Sequence, residues 1–165
     1  MYRFLSLYIV LAMSGCTLSS SQAPETASRT FTGEVVNIVA GDLIEVRHHG
    51  QVTPIRLHGI DCPESGQKFS EDAKYRAECM AKDKTVSVVV VTHDLAGRTI
   101  GEVLLPTGES MNRELIADGY CWWYRRYAPN NSAYENLEKK ARKKFLGLWM
   151  EPNPTPPWEY RANMH

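Results

Sequence analysis

The chain has 165 residues, 43% hydrophobic and 23% charged, which is enough for one domain with a proper core and ordinary for a soluble globular protein. Its 19 basic and 19 acidic residues cancel, which excludes a global positive field that would draw in nucleic acid. Any affinity for a polyanion has to come from a local cluster of charge.

The first stretch, "MYRFLSLYIVLAMSGC", reads as a targeting segment. Arg3 supplies a positive start, and Leu5 to Ala12 form an apolar run too short to span a bilayer as a helix. "MSGC" resembles the bacterial lipoprotein signal, in which small residues precede a cysteine that is lipidated and becomes the new N-terminus. Residues 1–15 are then the signal peptide, and Cys16 is the lipidated anchor of a flexible linker over 16–29. Met13 stands where Leu is usual, so plain secretory cleavage into the periplasm or medium is the alternative. The linker "TLSSSQAPETASR" has almost nothing to bury and suits a tether from membrane to domain. Thr17 lacks the acidic retention signal some bacteria use, so in a Gram-negative cell the outer membrane is the expected destination within the envelope. Outside the cytoplasm disulfides persist, and Cys62, Cys79 and Cys121 allow at most one intrachain bridge. Cys62–Cys121 and Cys79–Cys121 are both open; the first would leave Cys79 as a buried free thiol. The chain has no CxxC pair, and His48 and His49 stand alone, which argues against zinc.

From Thr30 the pattern is that of strands. "FTGEVVNIV" and "LIEVRHHG" alternate around the break "AGD", "HHGQ" suits a hairpin turn at Gly50, and "VTPIRLHGI" is a third run. Ser70 is positioned to cap a helix through "EDAKYRAECMA", with Glu71 and Asp72 in its first turn. Two more strands follow, "TVSVVVVT" and "TIGEVLLP", separated by "HDLAGR". A helix starts at Ser110 and stops at Gly119, and another opens at "SAYE" in capping-box spacing. The tail "PNPTPPWEYR" is expected to be irregular, with Trp158 pinning it to the body. The fold class is therefore mainly β with helices (α+β): a five-stranded Greek-key barrel of the oligonucleotide-binding (OB) type with about three α-helices.

"IRLHGIDCPESGQ" carries the chemistry. A strand leads Arg56 into a turn that places Asp61 and Glu64 around a proline, a set with little purpose on a plain surface loop. Each residue alone has a bland reading: Asp42 and Asp61 as turn residues, Glu64 as a solvated acid, Arg56 and Arg98 as surface charges. Together, carboxylates beside guanidinium groups suit a metal that polarises a phosphate and a planar fork that grips it.

"AGDLIEV", "IRLHGIDCPESGQ", "DLAGR" and "GLW…PPWEYR" stand in the order and spacing of the staphylococcal nuclease-like (thermonuclease) family, which the chain resembles from about residue 30 to 161. The resemblance implies calcium held by Asp42, Asp61 and the backbone carbonyl of Cys62. It implies Glu64 as base for the attacking water, and Arg56 and Arg98 on the scissile phosphate. The implied activity is calcium-dependent hydrolysis of DNA and RNA with little sequence preference. A monomer with no protein partner is expected. Ala40, Leu43 and Ala96 depart from the family pattern, removing an acid, a hydroxyl and a tyrosine near the site. Tyr124, Arg126 and Tyr127, from "YCWWYRRY", are candidates to stack on bases of single-stranded or frayed substrate. Trp122 and Trp123 are at least as well suited to the core. The run "KKARKK" reads as a solvated helix face.

Overall fold

The structure, a computed structural model, describes residues 29–164. The signal segment, Cys16 and nearly all of the linker lie outside the described residues.

Five strands close a barrel in the order β1-β2-β3-β6-β5. They are β1 (Arg29–Ala40), β2 (Leu43–His48), β3 (Gln51–Leu57), β5 (Thr85–His93) and β6 (Thr99–Leu104). Alternation does the work: Val35, Ile44, Val46, Ile55, Leu57, Val86, Val88 and Val103 point inward and are essentially fully buried. β1 pairs with both β2 and β5, helped by register shifts near Asn37 and Val39 that bend it around the barrel. β3 and β6 run parallel and place Arg56 opposite Ile100. The β2–β3 hairpin turns at His49 and Gly50, both at positive φ, which matches the right-handed twist of the strands.

Outside the barrel lie α1 (Ser70–Ala81), α2 (Met111–Ala117), α3 (Ser132–Lys143) and α4 (Pro157–Asn163), with a 3₁₀ turn at Gly147–Met150. The expected class is what forms, with four α-helices where about three were read. The ends differ in instructive ways. Ser110 caps α2 as expected, accepting from the Arg113 amide. Asn131, one residue earlier than Ser132, caps α3 and accepts from the Tyr134 amide. Phe69, in the left-handed region, precedes α1, so Ser70 starts the helix without capping it. The tail is not irregular: Pro157 occupies the first turn of α4, where its missing N–H is no loss.

A second, two-stranded sheet was not legible beforehand. β4 (Ile60–Asp61) pairs antiparallel with β7 (Trp122–Trp123), setting Asp61 against Trp122. The Cys62–Cys121 disulfide, one of the two pairings left open, cross-links the chain just beyond that rung. Cys79 is free and exposed rather than buried, because α1 turns Ala73, Ala77, Met80 and Ala81 to the core. Trp122 and Trp123 are core residues, and the Trp123 indole N–H donates to the Ala128 carbonyl at 2.9 Å.

Candidate active site

Three chain segments meet at one end of the barrel. The β1–β2 turn brings Asp42; β3 brings Arg56; the loop after β4 brings Asp61, Cys62 and Glu64. Gly41 lets the turn approach this closely. A Cβ there would lie 3.0 Å from both the Ala73 Cβ and the Cys62 sulfur. Gly59, at φ 73°, turns the chain from β3 into β4 where a side chain would run into Ala128.

Asp42 and Asp61 are both buried, and one nitrogen links them. Arg56 Nη2 lies 2.7 Å from Asp61 Oδ1 and 3.1 Å from Asp42 Oδ2. The Cys62 amide donates to Asp42 Oδ2 at 2.9 Å. Burial pushes the Asp42 carboxyl up to about 6, against the opposing pull of Arg56 and the Cys62 amide. A buried carboxylate beside two further acids is the kind of site a divalent cation relieves.

Among the described residues, no three His, Cys, Asp or Glu side chains converge as a ready cage. Two aspartates plus a backbone oxygen form a donor set that suits a hard divalent cation. Asp42, Asp61 and the Cys62 carbonyl would hold it.

A cleft of about 810 Å³ opens beside this cluster. Arg56, Arg98 and Glu64 all line it. Arg98 sits at the β5–β6 hairpin, where its Nε donates to Asp94 Oδ2 at 2.6 Å and its amide donates to Asp94 Oδ1 at 2.9 Å. Tyr124 and Tyr127 line the same cleft, edge to face at 4.9 Å. His58 Nε2 donates to the Tyr127 carbonyl at 3.0 Å and fixes that wall. Arg126 does not join them: it is exposed, outside the cleft lining, with its guanidinium 5.9 Å from the Tyr127 ring centre.

One residue of the site was missed by sequence reading. Arg161, on α4, donates through Nη2 to Asp61 Oδ2 at 2.9 Å, through Nη1 to Asp61 Oδ1 at 3.2 Å, and through Nη1 to Glu64 Oε1. Hydrogen bonding to Asp61 raises its pKa still further, outweighing its own partial burial. The available signal was the spacing of Trp158 and Arg161, which share one helix face once Pro157 is read as a helix start.

The family model described as "Staphylococcal nuclease homologue" matches residues 54–151, more than half of the chain. The chain belongs to the staphylococcal nuclease-like family. A relative named "Micrococcal nuclease" from Shigella flexneri is 38% identical over 140 residues, covering 79% of this chain and 80% of that protein. An "Uncharacterized endonuclease" from Escherichia coli O157:H7 is 33% identical over 129 residues, covering 78% and 84%. "Staphylococcal-like nuclease CAN1" from Arabidopsis thaliana is 35% identical over 109 residues, covering 66% of this chain and 33% of its own length. The end of β3 with Arg56 and the β4 loop fall inside the matched span, while the Asp42 turn and α4 lie outside it.

Proposed function

We propose that this staphylococcal nuclease-like protein is a calcium-dependent endonuclease that hydrolyses DNA and RNA with low sequence specificity. It works in the bacterial cell envelope, tethered through lipidated Cys16. Family membership and the nuclease and endonuclease names of its relatives support the coarser part: a nuclease, a hydrolase of phosphodiester bonds. The observation that carries the finer reading is the shared contact of Arg56 with buried Asp42 and Asp61 at the mouth of a cleft that also holds Arg98 and Glu64.

Calcium, when bound, would supply Lewis-acid polarisation of a phosphate oxygen. The remaining work falls to the chain. Glu64 takes a proton from water, whose oxygen forms the new bond to phosphorus while the 5′ oxygen leaves with the bonding pair and gains a proton from solvent, giving a 3′-phosphate and a 5′-hydroxyl. Arg56 and Arg98 face charge that gathers on the phosphate oxygens, and the planar fork of each can meet two oxygens at once. Tyr124 and Tyr127 give bases a π-face, which favours single-stranded or frayed substrate of any sequence. The groups given roles here meet phosphate and the flat faces of bases, not base edges, hence the low specificity. The protein acts as a monomer.

The test is cleavage of single-stranded DNA by the purified protein, with calcium or with chelator. Calcium-dependent cleavage that falls sharply in Glu64→Gln supports the proposal. Binding without cleavage at any metal concentration would instead mark a non-catalytic oligonucleotide-binding module.

A further inference from the structure

We propose that Arg161 is a positioning residue of the active site, holding the Glu64 and Asp61 carboxylates in register, so that the C-terminal helix α4 is part of the nuclease machinery. The inference rests on the role given above to Glu64 and Asp61.

The reason begins with Glu64. Its backbone amide is held by Gln67 Oε1 at 2.8 Å, but a glutamate side chain turns about three further bonds. Among the described residues, the side-chain contact that stops this rotation is the one from Arg161. The same guanidinium takes both oxygens of Asp61, which is fully buried. Asp61 and Glu64 stand three residues apart on either side of Pro63, and one rigid fork spans them. A lysine would offer a point charge on a flexible stem and could not serve three oxygens in fixed directions.

α4 is built to deliver this group. Pro157 is buried, and the Trp158 ring lies flat on Tyr124, centres 5.1 Å apart and planes 2° apart. Arg161 follows three residues later on the same face and reaches the metal loop over the edge of the cleft. The wall that meets the base and the fork that orders the acid are thereby one unit. Arg161 also occupies both oxygens of Asp61 and so competes with a bound cation for them. Removing it should therefore leave calcium binding intact or tighter, whereas loss of a merely structural strut would weaken it.

The experiment compares the full chain with Arg161→Gln and Arg161→Lys in three readouts: steady-state cleavage of single-stranded DNA, calcium titration by calorimetry, and thermal unfolding. The expected result for Arg161→Gln is a kcat about 10- to 100-fold lower, as for other partners that orient site ligands, with KM changed less than about threefold. Its calcium affinity should equal or exceed that of the parent, and Arg161→Lys should recover only part of kcat. An unchanged kcat in Arg161→Gln overturns the inference, as does loss of calcium binding together with a lowered melting temperature. If Arg161→Gln does not fold, Arg161→Lys decides: full kcat in that variant overturns it. A parent chain that does not cleave at all sinks the proposed function, and the calcium titration of Arg161→Gln then still judges the grip on Asp61.

Discussion

The Cys62 backbone amide donates to Asp42 Oδ2 across 2.9 Å, joining two loops that are twenty residues apart in sequence. That bond fixes the β1–β2 turn to the loop that carries Asp61 and Glu64. It also means that the disulfide at Cys62 and the carboxylate at Asp42 belong to one local structure.

Asp42→Asn separates charge from shape. The amide oxygen can still accept from Cys62, while the buried charge is gone. Without calcium at pH 8, the variant should unfold at a temperature no lower than the parent's. With saturating calcium, the parent should gain stability by mass action and the variant should gain little. Thermal unfolding with and without calcium checks both parts.

The pH dependence follows from the same carboxyl. Its folded pKa, about 6, lies above the ordinary 3.8 because burial disfavours the charge. The protonated form is therefore favoured by folding, and this group's contribution to stability falls as pH rises from about 4 to about 6, then stays constant. Calcium needs the ionised form. The rise in melting temperature on adding calcium should be large at pH 8, reduced near pH 6 and small at pH 5. A calcium effect equal at pH 5 and pH 8 would contradict the placement of Asp42 at the metal.

The Cys62–Cys121 bridge closes a loop with a sequence separation of 59. Chain-entropy reasoning puts such a bridge at about 4 kcal/mol as an upper figure, and disulfides typically contribute about 2–4 kcal/mol. Denaturant unfolding of Cys62→Ser/Cys121→Ser should show a loss in that range. Calcium affinity should fall as well, because the β4–β7 rung beside Asp61 loses its cross-link.

Tyr127 and Arg126 are neighbours with different expected effects. Tyr127 lines the cleft with its ring exposed, so Tyr127→Ala should weaken single-stranded DNA binding by about 1–3 kcal/mol. Arg126 lies outside the lining, and Arg126→Ala should shift binding only slightly, through its phosphate attraction at low salt. Fluorescence titration of a labelled oligonucleotide distinguishes the two.

What could be read in the sequence was local. Alternating Val and Ile mark the barrel strands, and Ser110 and Gly119 mark the two ends of α2, because each signal lies within the element it describes. Arg56, Asp61 and Glu64 were visible through their spacing around Pro63, and the structure brings them to one place. The β4–β7 ladder was not, since two residues carry no period and the pairing partner is some sixty residues away. Asn131 outcompeted Ser132 as a cap because its side chain meets the Tyr134 amide one residue earlier. Arg161 stayed hidden for a related reason. Its partners lie 97 and 100 residues away, and the run of prolines before it suggested an irregular tail where Pro157 in fact begins a helix.

The most direct measurement is a calcium titration of the full chain by calorimetry beside Asp42→Asn and Asp61→Asn. A single site in the parent, with affinity lost or weakened at least tenfold in each variant, is the expected result. Calcium binding of equal strength in all three proteins would show that these two carboxylates do not seat the ion.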